Sequence, residues 1–496
     1  MDALDALLGG LAGAVTPANL MFVFLGVLIG TIVGVLPGIG PITAIALLIP
    51  LSFGLEPTAG LILLCGVYYG AMYGGSITSI LIRTPGEVAS AVTAIDGYAM
   101  ARNGQAGPAL ATAAVGSFIG GSLAVLGLVF LSPVLVDVST SFGAAEYAVL
   151  LVGALALTTS LMTGSKVKAL ISVLFGMCIG IIGLDPQDSV ERWTFGSIEL
   201  SDGIDIALVA MALFAIPEAL RHLSLGERRA SEVIEVQRAW MNKQDLARSA
   251  APYARGSVVG FVAGVMPGLG PTLGTFASYA LERRVAKGER RTLFGKGAIE
   301  GVAGPETANN AGVGGAMVPM LALAIPGSAT TALLLLVFQM YGLQPGPQLF
   351  QTDGPLVWTI VASMLVGNAM LLILNLPMVR LFIKLLKVPP PLMYAGVIAF
   401  AMLGAYALTF SVFSLVLLIV IGLIGYLMQE NGFPLTPAIL AAVLLPLLEL
   451  NLRRALLIAD GRWTTFLDRP LSLVLLILIA VGALVPILLK LRRSVR

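Results

Sequence analysis

Twice along this chain an apolar, helix-forming run is cut by the string Pro-Gly-x-Gly-Pro. From Gly26 to Pro41 it reads GVLIGTIVGVLPGIGP, and from Gly256 to Pro271 it reads GSVVGFVAGVMPGLGP. The copies match at Gly26/Gly256, Gly30/Gly260, Gly34/Gly264, Val35/Val265, Pro37/Pro267, Gly38/Gly268, Gly40/Gly270 and Pro41/Pro271. Proline removes a backbone donor, glycine opens angles closed to other residues, and a proline in the first turn suits a new helix. Each string therefore ends one helix and starts another.

Such breaks constrain the fold because of where they lie. The chain is 57% hydrophobic and 11% charged over 496 residues, whereas soluble domains carry about 25% charged residues. Its mean hydropathy is +0.95. Uncharged runs of spanning length recur throughout, so the expected class is an all-α polytopic membrane protein with roughly 12 transmembrane or re-entrant helices. In hydrocarbon an unsatisfied amide or carbonyl is costly, so broken backbone has to be buried in protein or line a wet cavity. Breaks recurring in two halves point to a transporter's binding site. The plainer alternative is a kink that serves helix packing.

The start MDALDALLGG lacks a positive n-region and gives no signal-peptide pattern. Cys65 and Cys178 stand alone in apolar segments and His222 is the single histidine, which argues against a disulfide framework or a zinc site. A net charge of +2 gives no reason to expect nucleic acid.

In chain order, the first broken helix is followed by a piece from Leu61 to Leu81 that ends at a second break, Thr84-Pro85-Gly86-Glu87, after Arg83. Asp96 to Gln105 reads as a loop. Spans are expected near 107–131, 144–160, 166–183 and 205–220, with the acidic stretch Leu184 to Asp205 outside. The segment 221–255 reads as a basic cytoplasmic connector. The second half core, 256–390, carries the break at 267–271, the string GVAGPETANN and a second break at 325–328. Further spans near 330–341 and 355–378 lead to a basic turn at Arg380, Lys384 and Lys387. Residues 391–496 supply C-terminal spans and the tail KLRRSVR, while 1–220 form the first half. Acidic residues precede Gly26 and basic ones precede Gly256, so the halves are expected to be inverted repeats. Arg453 and Arg454 fit poorly with this count.

A helix beginning at mid-depth aims free amides and partial positive charge at its surroundings, an end worth up to about 2 kcal/mol in a partly buried setting. A helix ending there offers carbonyls to a cation. The candidate substrate-binding residues are Pro37, Gly38, Gly40, Thr43, Arg83, Thr84, Pro85, Gly86, Gly268, Gly270, Thr272, Pro326, Gly327, Ser328 and Thr330. The candidate ion-binding residues are Ser76, Thr78, Thr307, Asn309, Asn310 and Thr331, where sodium would sit. Ser79 and Ser90 lie beside them. Each hydroxyl or amide has an ordinary alternative as an interhelical hydrogen bond. Arg83 is either a carboxylate partner or a snorkelling arginine. Glu87 and Glu306, just after prolines, are expected to cap new helix N-termini.

At these residues the chain resembles the large membrane subunit of tripartite tricarboxylate transporters, the TctA family. The strings that carry the likeness are GVLPGIGP, YYGAMYGGSITSIL, RTPGEVASAVTAIDGYAMA, GPETANNA and IPGSATTALLL. The resemblance implies a bacterial inner-membrane permease that imports citrate or another di- or tricarboxylate by ion symport, with sodium the expected ion and no cofactor. It implies two partners, a small four-span TctB-like subunit and a periplasmic TctC-like solute-binding protein, and elevator-type alternating access. Assembly of several copies is compatible with it. The position of Arg83 varies in the family, which makes it an element of specificity.

Proton coupling is the near alternative. A channel is another, since broken helices also build filters. An intramembrane enzyme is disfavoured, because the chain has neither Gly-x-Ser-x-Gly nor His-Glu-x-x-His.

Overall fold

The computed structural model describes residues 3–162, 164–185, 187–224, 234, 236, 240–268, 270–386 and 388–494. Helix α1 (Ala3–Ala14) precedes α2 (Pro17–Val35) and α3 (Pro41–Ser52), which flank the first break. Helices α4 (Pro57–Ile82) and α5 (Thr93–Met100) flank the second. Then come α6 (Ala106–Ser139), α7 (Ala144–Leu161), α8 (Lys166–Gly180), a hairpin of β1 (Gly183–Leu184) and β2 (Glu191–Arg192), α9 (Ile206–Ala210) and α10 (Ile216–Ser224).

The second half runs α11 (Lys243–Val265), α12 (Gly270–Val285), α13 (Glu289–Thr292), α14 (Glu300–Leu323) and α15 (Ala329–Met340). It closes with α16 (Pro347–Thr352), α17 (Gly354–Leu385), α18 (Pro390–Thr409), α19 (Val412–Glu430), α20 (Leu435–Ile458), α21 (Thr465–Asp468) and α22 (Pro470–Ser494).

Among the described residues, eight helices are long and apolar enough to cross a membrane, so this is an all-α multi-pass membrane protein. Shorter apolar helices include α1, α3 and α15. Helices α11 and α14 fall outside both groups for a physical reason. The first carries Lys243, Asp245 and Arg248 near its start and Arg255 at mid-helix, and the second is rich in Gly, Asn and Glu. Protein rather than lipid surrounds α14, which is buried from Glu300 through Ala322. Helix α4 is likewise buried from Ala59 through Leu81.

Each buried helix is clasped by the broken helix of its own half. A Cβ on Gly26, Gly30 or Gly34 of α2 would strike α4 backbone at Leu63, Val67 or Ala71. On α11, Gly256, Gly260 and Gly264 stand in the same way against Gly304, Ala308 and Gly312 of α14. Small residues every four positions let helix axes approach closely, which replaces the missing hydrophobic drive between helices in lipid.

Three expectations are corrected. Asp96 to Gln105 is not a loop: α5 passes through a π-turn at Ala101–Gln105, with Gly104 at φ 78°, into α6. The connector is shorter than 221–255 at both ends, since α10 extends to Ser224 and α11 begins at Lys243 behind an Asn242 cap with Asp245. Within that segment 225–233, 235 and 237–239 lie outside the described residues, as do Leu269 of the second copy, Lys387 of the basic turn and the last two residues of the tail. His222 belongs to α10, not to the connector. Arg453 also finds its reason: it pairs with Asp185 and Glu449, and Arg192 joins the same two carboxylates. The basic end of α20 is thus neutralised by the acidic loop at 183–205.

Candidate functional site

The four breaks are built in two matching ways. At the first type, α2 ends at Val35 and Gly38 adopts φ 77°, while α11 ends at Val265 and Gly268 adopts φ 87°. These left-handed angles are where glycine is needed. At the second type, α4 ends on Arg83 at φ 59° and α14 on Ala324 at φ 57°. Gly86 then packs on Gly34 and Gly75, and Gly327 packs on Gly264 and Ala316.

Within each half the two breaks meet. Gly40 lies against Glu87 and Gly86, as Gly270 lies against Ser328 and Gly327. The Gly268 amide donates to the Gly327 carbonyl at 3.0 Å. Ser328 caps α15 through Thr331: the Thr331 amide donates to Ser328 Oγ at 3.2 Å and the Ser328 amide to Thr331 Oγ1 at 2.8 Å.

The halves then join reciprocally. The register that pairs Arg83 with Ala324 also pairs Tyr68 with Asn309 and Glu87 with Ser328. Asn309 Nδ2 donates to Glu87 Oε1 at 3.1 Å, and the Tyr68 hydroxyl is 3.3 Å from Ser328 Oγ. Position i of one half thus touches position j of the other in both directions, the signature of a two-fold relation. Glu306 sits inside α14 rather than at a helix start, which corrects the capping expectation. It accepts from Ser76 Oγ at 2.6 Å and from Thr93 Oγ1, and is fully buried. Glu87 lies in the turn after α4, between that break and Asn309, rather than in the first turn of α5.

Of the residues singled out from sequence, Gly40, Gly86, Ser76 and Asn309 gather around Glu87 and Glu306, while Gly270, Gly327, Ser328 and Thr331 gather opposite Tyr68. Thr78 and Ser79 both donate to the Gly75 carbonyl, and Ser79 also reaches Ser90. Thr43 and Thr330 are buried in the first turns of α3 and α15, and Thr272 is half-buried in that of α12. Pro85 and Pro326 occupy the equivalent turns.

Other residues are placed elsewhere. Arg83 points outward with its guanidinium 5.9 Å above the Tyr98 ring. Thr84 turns back to the Ile82 carbonyl. Thr307 and Asn310 face α6, where Thr307 lies against Gly116 and Gly120 and Asn310 donates to Ser117 Oγ at 2.7 Å. Gly38 abuts Glu218 and His222, Gly268 abuts Thr158, and the Pro37 carbonyl accepts from Tyr394, whose ring stacks on His222 at 4.5 Å. A cleft of 390 Å³ reaches Leu323 and Ala324 from the side of Ser139, Tyr147 and Gln348. Neither Glu87 nor Asn309 lines it.

Tyr68 and Asp96 were missed from sequence. Carrying the repeat register from the second breaks back along α4 and α14 would have paired Tyr68 with Asn309. Asp96 had no such signal. Its Oδ1 accepts the amides of Gly295, Gly297 and Ala298 at 2.8, 2.9 and 2.9 Å and its Oδ2 the Tyr279 hydroxyl at 2.8 Å, which braces the halves together.

Residues 20–440 match the family described as "Tripartite tricarboxylate transporter TctA family". An uncharacterized 52.8 kDa protein in the TAR-I ttuC' 3' region of Agrobacterium vitis is 44% identical over 476 residues, covering 96% of this chain and 94% of that protein. An uncharacterized protein in the TAR-II ttuC' 3' region of the same organism is 40% identical over 237 residues, covering 48% of this chain and 96% of that protein. No solved structure matches.

Proposed function

The chain belongs to the tripartite tricarboxylate transporter TctA family, a family of transporters and not of enzymes, and on that premise we propose that it is the permease subunit that imports di- or tricarboxylates by sodium symport. The observation that supports a substrate site at the breaks is the reciprocal pair Asn309–Glu87 and Tyr68–Ser328, which brings broken helices of both halves to one place. Helices α3, α12 and α15 begin there, and α15 carries a hydroxyl cap. Helix starts favour carboxylates, so Gly270 and Ser328 are the backbone positions assigned to the substrate.

The oxygen-rich side chains between the halves suit a hard cation such as sodium. Elevator-type movement of inverted repeats would carry the pair of breaks between the two faces of a bacterial inner membrane. The family works with other components of a tripartite system. The partners assigned to this chain are a small TctB-like membrane subunit and a TctC-like periplasmic receptor that delivers the substrate.

Uptake of labelled citrate and smaller dicarboxylates into vesicles bearing the chain, the small subunit and the receptor tests this. Saturable uptake that requires an inward sodium gradient is expected. Uptake without sodium would overturn the coupling, and uptake driven by a pH gradient alone would establish proton symport instead. Non-saturating flux would establish a channel.

A further inference from the structure

The two-fold relation between the halves is broken in one respect: only one of its two equivalent pockets carries carboxyl side chains. Glu87 corresponds to Ser328, and the register that pairs them sets Glu306 against Cys65. The pocket at the first half's second break therefore holds two carboxylates, and the pocket at the second half's holds hydroxyls. Carboxylates within membrane-spanning protein are expensive and ordinarily face a cation or a polar path. Among the described residues neither Glu87 nor Glu306 has a basic partner.

The two carboxylates stand at one level of α4. Gly75 packs on the Glu87 side chain, a Cβ there lying 3.2 Å from Glu87 Cγ, and the next residue, Ser76, donates to Glu306. Thr93 closes the far side of Glu306. Asn309, one turn beyond Glu306 on the same face of α14, spends its amide on Glu87. The carbonyl oxygen of the same amide, Oδ1, is buried and has no hydrogen-bond partner. That unpartnered acceptor is the independent sign of a cation: beside two acceptor carboxylates it would otherwise be an uncompensated third negative dipole.

We propose that Glu306 and Glu87, with the Asn309 carbonyl and the Ser76 and Thr93 hydroxyls, form a sodium site, and that the equivalent pocket at Ser328 and Tyr68 takes a carboxylate of the substrate. The duplicated scaffold thus supplies one cation half and one anion half. A hard monovalent cation prefers carboxylate, carbonyl and hydroxyl oxygens, which are the groups assembled here. The chemistry of the two halves is set by the exchange of Glu for Ser at one equivalent position and of Glu for Cys at the other.

This assignment rests on the symport reading, and its test is kept separate from transport. The full chain, purified in detergent without carboxylate, is titrated with sodium chloride against choline chloride while its thermal unfolding is followed. Stabilisation by sodium is expected in the wild type. In Glu306→Gln the apparent sodium affinity should fall by at least about tenfold, the loss of a contact to a charged group. Ser76→Ala and Thr93→Ala keep both carboxylates and should each weaken sodium by several-fold, which leaves the test decisive if Glu306→Gln does not fold.

A wild type indifferent to sodium, a shift that follows pH alone, or unchanged sodium affinity in Ser76→Ala, Thr93→Ala and folded Glu306→Gln would each overturn the site. If wild-type vesicles import carboxylate with sodium while Glu306→Gln keeps full sodium stabilisation, the site fails and the symport reading stands. If sodium binds through Glu306 but no carboxylate moves, the transport reading fails and the site stands.

Discussion

Asn309 on α14 donates its side-chain amide to Glu87 Oε1 at 3.1 Å, across the boundary between the two halves. Its counterpart Tyr68 makes the matching contact to Ser328. The two bonds differ in kind, because the first ends on a carboxylate and the second on a hydroxyl. Hydrogen bonds to charged groups contribute about 1.5–3 kcal/mol and neutral ones about 0.5–1.5 kcal/mol.

Asn309→Leu should therefore cost more than Tyr68→Phe. The first leaves half-buried Glu87 beside an apolar side chain and is expected to lower initial uptake by at least about tenfold. The second should lower it only a few-fold. Uptake normalised to protein in the vesicle membrane measures both, and equal effects would remove the distinction between the halves.

Gly38→Leu and Gly268→Leu should abolish uptake while the protein still reaches the membrane. Both glycines adopt positive φ, and a side chain would drive into Glu218 and His222 at the first or Thr158 at the second. Membrane yield and uptake are read together. Full activity in both variants would return the breaks to a packing role.

Gly260→Val tests the helix clasp separately from the site. A Cβ there meets the Ala308 backbone on α14, and overpacking of a tight contact costs about 1–3 kcal/mol or more. Gly54 has open space around it, so Gly54→Ala serves as the control. A lower unfolding temperature is expected in Gly260→Val only.

The loop at 183–205 should hold its structure in acid. The Gln187 backbone amide, together with the guanidinia of Arg453 and Arg192, holds the Asp185 carboxyl well below the usual carboxylate range against the opposing effect of desolvation. A depressed folded value means that the contribution is fully present above the ordinary value of about 3.9 and is lost only as pH falls through the depressed one. Amide exchange protection of the hairpin, corrected for intrinsic rates, should stay level from pH 7 to 4. Asp185→Asn should lose protection already at neutral pH. A fall in the wild type between pH 5 and 4 would contradict this.

The membrane class, the duplicated breaks and most helices were legible in the sequence, because apolar runs, prolines and glycines act locally. Even the equivalence of Arg83 with Ala324 could be read from the flanking Pro-Gly pairs. The loop expected at Asp96 to Gln105 failed for a non-local reason: its polar residues sit on a helix whose Asp96 is satisfied by amides some 200 residues away in chain order.

What sequence could not decide was which groups meet. The pattern gave Glu306 as a cap because it follows Pro305, yet the packing of α14 against α4 puts it deep inside, on Ser76 and Thr93. Arg83, the most conspicuous charge beside a break, is turned outward to Tyr98 instead. Local chemistry sets where a helix can start and stop. Only the tertiary contact of two halves sets which carboxyl group faces which amide, and so which half of the site bears the acidic side chains.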